Sequence, residues 1–199
     1  MTADQAQPSG ESQRSFTSPH IQAFDGACYL LQHLAGMTRT VHGLVKEVEA
    51  QGGDPEGAMI VDVMERQALA EAVHVFCAMT VEGAVNLLGV ALFDEQQFYE
   101  RLERKSVAEK LSKIFQVLPK TPSAELTEEL LALAKVLYDA RNDFVHPKPR
   151  KGSAEGRPWR ARSYQEAARA VDSTHRFLML MVQLDHRNGA FFFQPKRRR

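Results

Sequence analysis

The chain has 199 residues, the size of one ordinary domain with or without tails. Its 25 basic and 25 acidic side chains cancel, which excludes a wholesale polycation, and a composition 44% hydrophobic and 25% charged excludes a disordered chain. Two cysteines, Cys28 and Cys77, each inside an apolar stretch, exclude a disulfide framework and a clustered Cys/His metal site.

Residues 1–18 are rich in Gln, Ser, Thr, Pro and Gly and read as a disordered tail. They lack a basic segment ahead of an apolar core, so no secretory signal is expected and the expected compartment is the cytoplasm. Ser18-Pro19 reads as a helix N-cap followed by proline at the first helical position. Behind it Phe24, Leu31, Leu34, Met37, Val41, Leu44 and Val48 trace one apolar helix face, ended by Gly52-Gly53-Asp54-Pro55. A second helix is expected from about Met59 to Phe93, apolar on nearly every side from Ala72 onward, the pattern of a central core helix. A membrane span needs roughly 20 apolar residues. Here Glu82 sits mid-segment and the uncharged piece Gly83–Phe93 has only 11 residues, so a core helix is expected and no membrane partner.

Asp94 opens a polar stretch through Glu103, and Ser106-Val-Ala-Glu109 is a capping box leading into Leu111, Ile114, Phe115 and Leu118. Pro119 and Pro122 break the chain. Residues 125–146 carry Leu126, Leu130, Leu133, Leu137 and Phe144 at helical spacing, and Pro147 ends that helix. A basic loop follows. Ser163-Tyr-Gln-Glu166 is a second capping box, and the last helix is expected to run to Asn188 and stop at Gly189. No stretch alternates with period two, and no repeat is visible. The expectation is an all-α, up-and-down bundle over 19–188, with a C-terminal basic tail at 189–199.

Chemistry concentrates at Leu137-Tyr-Asp-Ala-Arg141-Asn142-Asp143-Phe144-Val145-His146-Pro147. Arginine is a permanent cation whose fork matches phosphate oxygens and stabilises charge in a transition state. Histidine titrates near neutrality and moves protons, while Asn142 adds a neutral donor and acceptor. Arg14 to His20 and Arg169 to His175 share this kind of spacing. Only Arg141 also has an adjacent Asn, a helix end, and a proline with a basic loop behind it. Five residues along a regular helix turn through about 140°, so Arg141 and His146 meet one phosphate only if the last turn unwinds or a second subunit completes the site.

On these residues the chain resembles the HEPN superfamily, helical domains whose ribonuclease members carry Arg, four to six residues, then His, often with Asn after the Arg. The order around the motif is similar too: Glu82-Gly-Ala-Val-Asn86 on a long helix, then Arg104-Lys-Ser106-Val-Ala-Glu109-Lys110-Leu111, then the motif helix. The resemblance implies metal-independent RNA endonuclease activity, with the RNA 2′-hydroxyl as internal nucleophile and a cyclic phosphate product. It implies a homodimer with paired motifs and, in a toxin or antiviral setting, an antitoxin partner. Arg141, Asn142 and His146 would be the catalytic residues, with no cofactor and no metal. The alternative is a non-catalytic module binding nucleic acid, nucleotide or protein, with Arg141 paired to a buried acid and His146 capping its helix.

Glu82 and Asn86 are candidate supporting residues. A carboxylate in an apolar helix needs a partner. Arg141 would be oriented by it; Arg104, Lys105, Lys110 or an edge facing water are the alternatives. Lys148, Arg150, Lys151, Arg157, Arg160 and Arg162 stand in the loop against Glu155 alone, with Trp159 among them. Basic residues interleaved with an aromatic suit single-stranded RNA; a solvated loop is the alternative. Lys196-Arg-Arg-Arg199 adds a basic terminus. His33, His42, His74, His175 and His186 show no metal-ligand spacing and are expected to be structural.

Overall fold

The computed structural model describes residues 19–53, 56–93, 95–145 and 164–188. These form α-helices and no strand: α1 (Pro19–Ala50), α2 (Glu56–Phe93), α3 (Glu95–Arg101), α4 (Val107–Val117), α5 (Ala124–Val145) and α6 (Tyr164–Asn188). The all-α expectation holds across them. Helix α1 opens on Pro19, whose missing N–H would have had no intrahelical acceptor. It ends where Gly52 takes φ 71°, a left-handed conformation glycine adopts without a Cβ penalty, and the Gly53 N–H donates back to the Val48 carbonyl at 2.9 Å.

Two close approaches set α1 antiparallel to α2. A Cβ at Gly83 would stand 2.9 Å from His20 Cβ, and one at Gly26 3.0 Å from the Phe76 ring. The stacked rings of Phe24 and His175, centroids 6.3 Å apart, join α1 to α6. Helix α6 has eleven residues before His175 and thirteen after it, so it reaches no further than about residue 37 of α1. Leu34 is accordingly the last buried residue of α1, although Met37, Val41, Leu44 and Val48 continue the apolar row.

Helix α2 is the central element. Every other helix touches it, and Ala70, Val73, Cys77, Val81, Ala84, Val85 and Leu88 are buried along it. Around it α1 touches α6, α6 touches α5 and α5 touches α4, but among the described residues α4 and α1 do not meet. Among the described residues the ring is open on one side. On that side α2 carries Ala68 and Met79 exposed, and Ala72, Val75 and Val90 partly so. The segment Glu65–Phe93 is long and apolar enough to cross a membrane by length and composition.

Ser106 caps α4 as its sequence requires: its hydroxyl accepts from the Glu109 N–H at 3.3 Å, while Glu109 accepts from the Ser106 N–H at 2.9 Å. The Ser106 hydroxyl, which also donates to Glu109 Oε2 at 2.8 Å, and the Ser106 N–H together hold the Glu109 carboxyl below its ordinary pKa. Helices α5 and α6 run antiparallel, tied by the fork of Arg176 on both Glu129 oxygens at 2.7 and 3.0 Å, and the Lys120 N–H in the segment before α5 donates to Asn188 Oδ1 at the end of α6 at 2.9 Å. The second expected capping box begins at Ser163, outside the described residues, as do the N-terminal and C-terminal tails.

Candidate functional site

Leu126, Leu130, Ala134 and Leu137 turn one face of α5 into the core. That places Arg141, one turn beyond Leu137, at the helix end and partly buried. Its Nη1 donates to Asn142 Oδ1 at 3.1 Å, and its guanidinium lies over the Tyr138 ring, 5.4 Å from the centroid. The ring face attracts the cation and restricts the side chain. Among the described residues no carboxylate pairs with Arg141, in contrast to the buried acid partner of the alternative reading. A guanidinium has five N–H donors, and among the described residues only one is used, on Asn142. Arg141 and Asn142 are therefore brought together; His146 lies outside the described residues, as does the whole basic loop with Lys148, Arg150, Lys151, Arg157, Trp159, Arg160 and Arg162.

Glu82 and Asn86 belong to a different group. They stand one turn apart on α2 and both meet Lys110 of α4. The ammonium donates to Asn86 Oδ1 at 2.9 Å and pairs with Glu82 Oε1 at 3.7 Å. Lys110 is 1% exposed, and its charge sits 5.7 Å from the centroid of the Phe98 ring. Of the partners foreseen for Glu82, the structure selects Lys110 and not Arg141. The arrangement is a charged clamp fastening α4 to α2, since a buried ammonium is tolerated only where acceptors meet it. Sequence reasoning named Lys110 as one candidate partner and missed its burial. The signal was present: position 110 falls on the same α4 face as Val107, Leu111 and Ile114, all buried.

Other titratable groups are built into packing. Burial pushes the Cys77 thiol up to about 11, against an opposing hydrogen bond with Thr174, and burial together with Asp25 raises that of Cys28. Neither is poised as a thiolate nucleophile. Burial lowers the His20 pKa, so the ring favours its neutral form. His74 Nδ1 lies 2.7 Å from the Ala70 carbonyl, a hydrogen bond that requires the proton on that nitrogen, and Gln67 donates to the buried Glu71 at 3.2 Å. The expectation that His74 is structural agrees with this. Among the described residues no cluster of three His, Cys, Asp or Glu could hold a metal.

Comparison of the chain with family models, with curated proteins and with solved structures yields no match.

Proposed function

We propose that the chain is a metal-independent RNA endonuclease of the HEPN type, acting in a toxin or defence setting, with Arg141, Asn142 and His146 at its centre. The observation that supports this most is the state of Arg141: steadied by Asn142 and Tyr138 near the end of α5, with no carboxylate among the described residues taking its charge. A fixed guanidinium of this kind is suited to the non-bridging oxygens of a phosphodiester. His146 stands five residues on in the sequence, at the spacing that defines the resemblance.

In this reading the RNA 2′-oxygen attacks the neighbouring phosphorus and loses its proton. The 5′-oxygen of the next nucleotide leaves and gains one, giving a cyclic phosphate and a 5′-hydroxyl. His146 carries one of the two proton transfers and water the other. Arg141 stabilises the charge that builds on the phosphoryl oxygens, and Asn142 holds Arg141. The basic loop and Trp159 bind the single strand by phosphate attraction and base stacking. The proposal includes a homodimer and a partner protein that restrains the toxin.

The test is cleavage of labelled single-stranded RNA by purified protein in EDTA. Cyclic phosphate ends are expected, and Arg141→Ala and His146→Ala should each lower the rate by about a hundredfold or more with unchanged helical circular dichroism. Full activity in both variants, or a strict requirement for magnesium, would overturn the mechanism. An inactive wild type that still binds RNA would assign the same residues to a non-catalytic binding module.

A further inference from the structure

Seven residues make nearly two helical turns, so Ala27, Leu34, Val41 and Val48 share one stripe of α1. The first two are 0% and 1% exposed. Val41 and Val48 are only partly buried, and so is Val45 between them, three heptads on from the Phe24 that stacks on α6. The stripe stays apolar past residue 37, but its cover changes. Among the described elements α1 touches only α2 and α6, and α6 stops at that level.

The chain continues from the point where α6 stops. Lys110, early in α4, meets Glu82 and Asn86 toward the C-terminal end of α2, whereas Lys120, beyond the other end of α4, holds Asn188. The end of α6 therefore points toward the turn between α1 and α2. Residues 1–18 join α1 at its opposite end, where His20 Cβ lies against Gly83. The basic loop joins the end of α5 to the start of α6, also at that opposite end, because the two helices are antiparallel. Only the segment after α6 starts beside the uncovered stripe.

Residues 189–199, outside the described residues, read Gly189-Ala-Phe191-Phe192-Phe193-Gln194-Pro-Lys196-Arg-Arg-Arg199: three aromatic side chains, then four cations. An extended chain advances about 3.4 Å per residue and a helix about 1.5 Å. Counted from the level of residue 37, Phe191 reaches about position 44 of α1 and Phe193 about position 48. Alternate residues of an extended segment share a side, so these two rings can meet the valine stripe together. The cations arrive further on, at the turn, where residues 47–65 carry Glu47, Glu49, Asp54, Glu56, Asp62 and Glu65 and no basic residue. Apolar meets apolar and charge meets opposite charge in a single register.

We infer that the segment after α6 lies along the outer half of α1, with Phe191 and Phe193 on Val41, Val45 and Val48 and Lys196–Arg199 against the acidic turn. The contact needs no ribonuclease activity, and it gives the four cations a partner within the chain rather than an RNA. A segment anchored at one end adds local stability to the outer half without giving it the lifetime of the inner half, which packs on two helices.

The experiment uses the 199-residue chain. In native-state hydrogen exchange, Phe191→Ser with Phe193→Ser should speed the amides of residues 38–50 by about fivefold or more, while those of residues 23–34 keep their rates. Ala50→Cys with Gln194→Cys leaves both rings and all three valines in place. Mild oxidation should link that pair within one chain, beyond the level of wild type, whose Cys77 is buried and Cys28 half-buried. Tyr29→Cys with Gln194→Cys should link poorly, although Tyr29 is 69% exposed and stands nearer the level of residue 37 than Ala50 does. Unchanged exchange in the serine variant would overturn the inference. So would linking at position 29 as efficient as at 50, or links that join two chains and so place a second copy on the stripe.

Discussion

Lys110 tests how a buried charge is tolerated. Its ammonium is stabilised by the Asn86 carbonyl oxygen at 2.9 Å and, more distantly, by Glu82 at 3.7 Å. Removing an acceptor while keeping the charge should therefore cost more than removing the charge itself. Asn86→Ala should destabilise the fold by about 2–3 kcal/mol, the scale of a hydrogen bond to a charged group left unmade in the interior. Lys110→Met keeps a long unbranched stem, leaves Glu82 partly in water, and should cost no more than about 1 kcal/mol. Denaturant midpoints of the two variants decide the matter, and equal losses would mean that the clamp holds by packing rather than by charge. The residue also marks a limit of sequence reading. A Lys-Leu pair after a capping box looks like an ordinary amphipathic boundary, and only the shared face with Val107 and Ile114 betrays that position 110 turns inward.

At the scale of elements, two glycines on neighbouring helices should respond in opposite senses. A Cβ at Gly89 would collide with the ring of Phe98, which fastens the short α3 to α2 and is itself 2% exposed. Gly89→Ala should cost about 1–3 kcal/mol, because a buried ring has no low-energy way to retreat. Gly36, inside α1, has nothing within 4 Å of its missing Cβ, so Gly36→Ala should stabilise by about 0.5–1 kcal/mol through helix propensity alone. Thermal unfolding resolves both, at about 2–4 °C per kcal/mol for a chain of this length, and a melting temperature raised by Gly89→Ala would show that α3 is not held by that contact. The elements themselves were legible from the sequence. The Pro19 start, the Gly52 stop, the Ser106–Glu109 box and the stop at Asn188 are local signals, each decided by one or two residues against their own backbone. The pairing of Glu82 was not legible as a single answer, because four cations stood at plausible distances along the chain and only the packing of α4 on α2 chooses among them.

The arrangement of whole helices was still less legible, for a physical reason. Periodicity tells which side of a helix is apolar, but α2 is apolar all round, so its pattern carries no record of which side its neighbours leave open. The candidate site shows the same division: the Arg-Asn-His spacing was readable, whereas the capture of Glu82 and Asn86 by Lys110 and the contact of Arg141 with Asn142 and Tyr138 arise only from the assembled fold. Helix α6 stops supporting α1 at about residue 37, and from there to Ala50 α1 has no buried residue, while its apolar row continues through Val41, Leu44 and Val48. Helix stability in water comes mainly from tertiary packing, so α1 should behave as two segments of unequal lifetime. Amide hydrogens from Thr38 to Ala50 should exchange by unzipping from the Gly52 turn, with protection about a hundredfold or more below that of Ala27 to Leu34. Native-state hydrogen exchange measures this directly, and equally slow exchange along the whole of α1 would mean that the outer half of the helix is clasped as firmly as the inner.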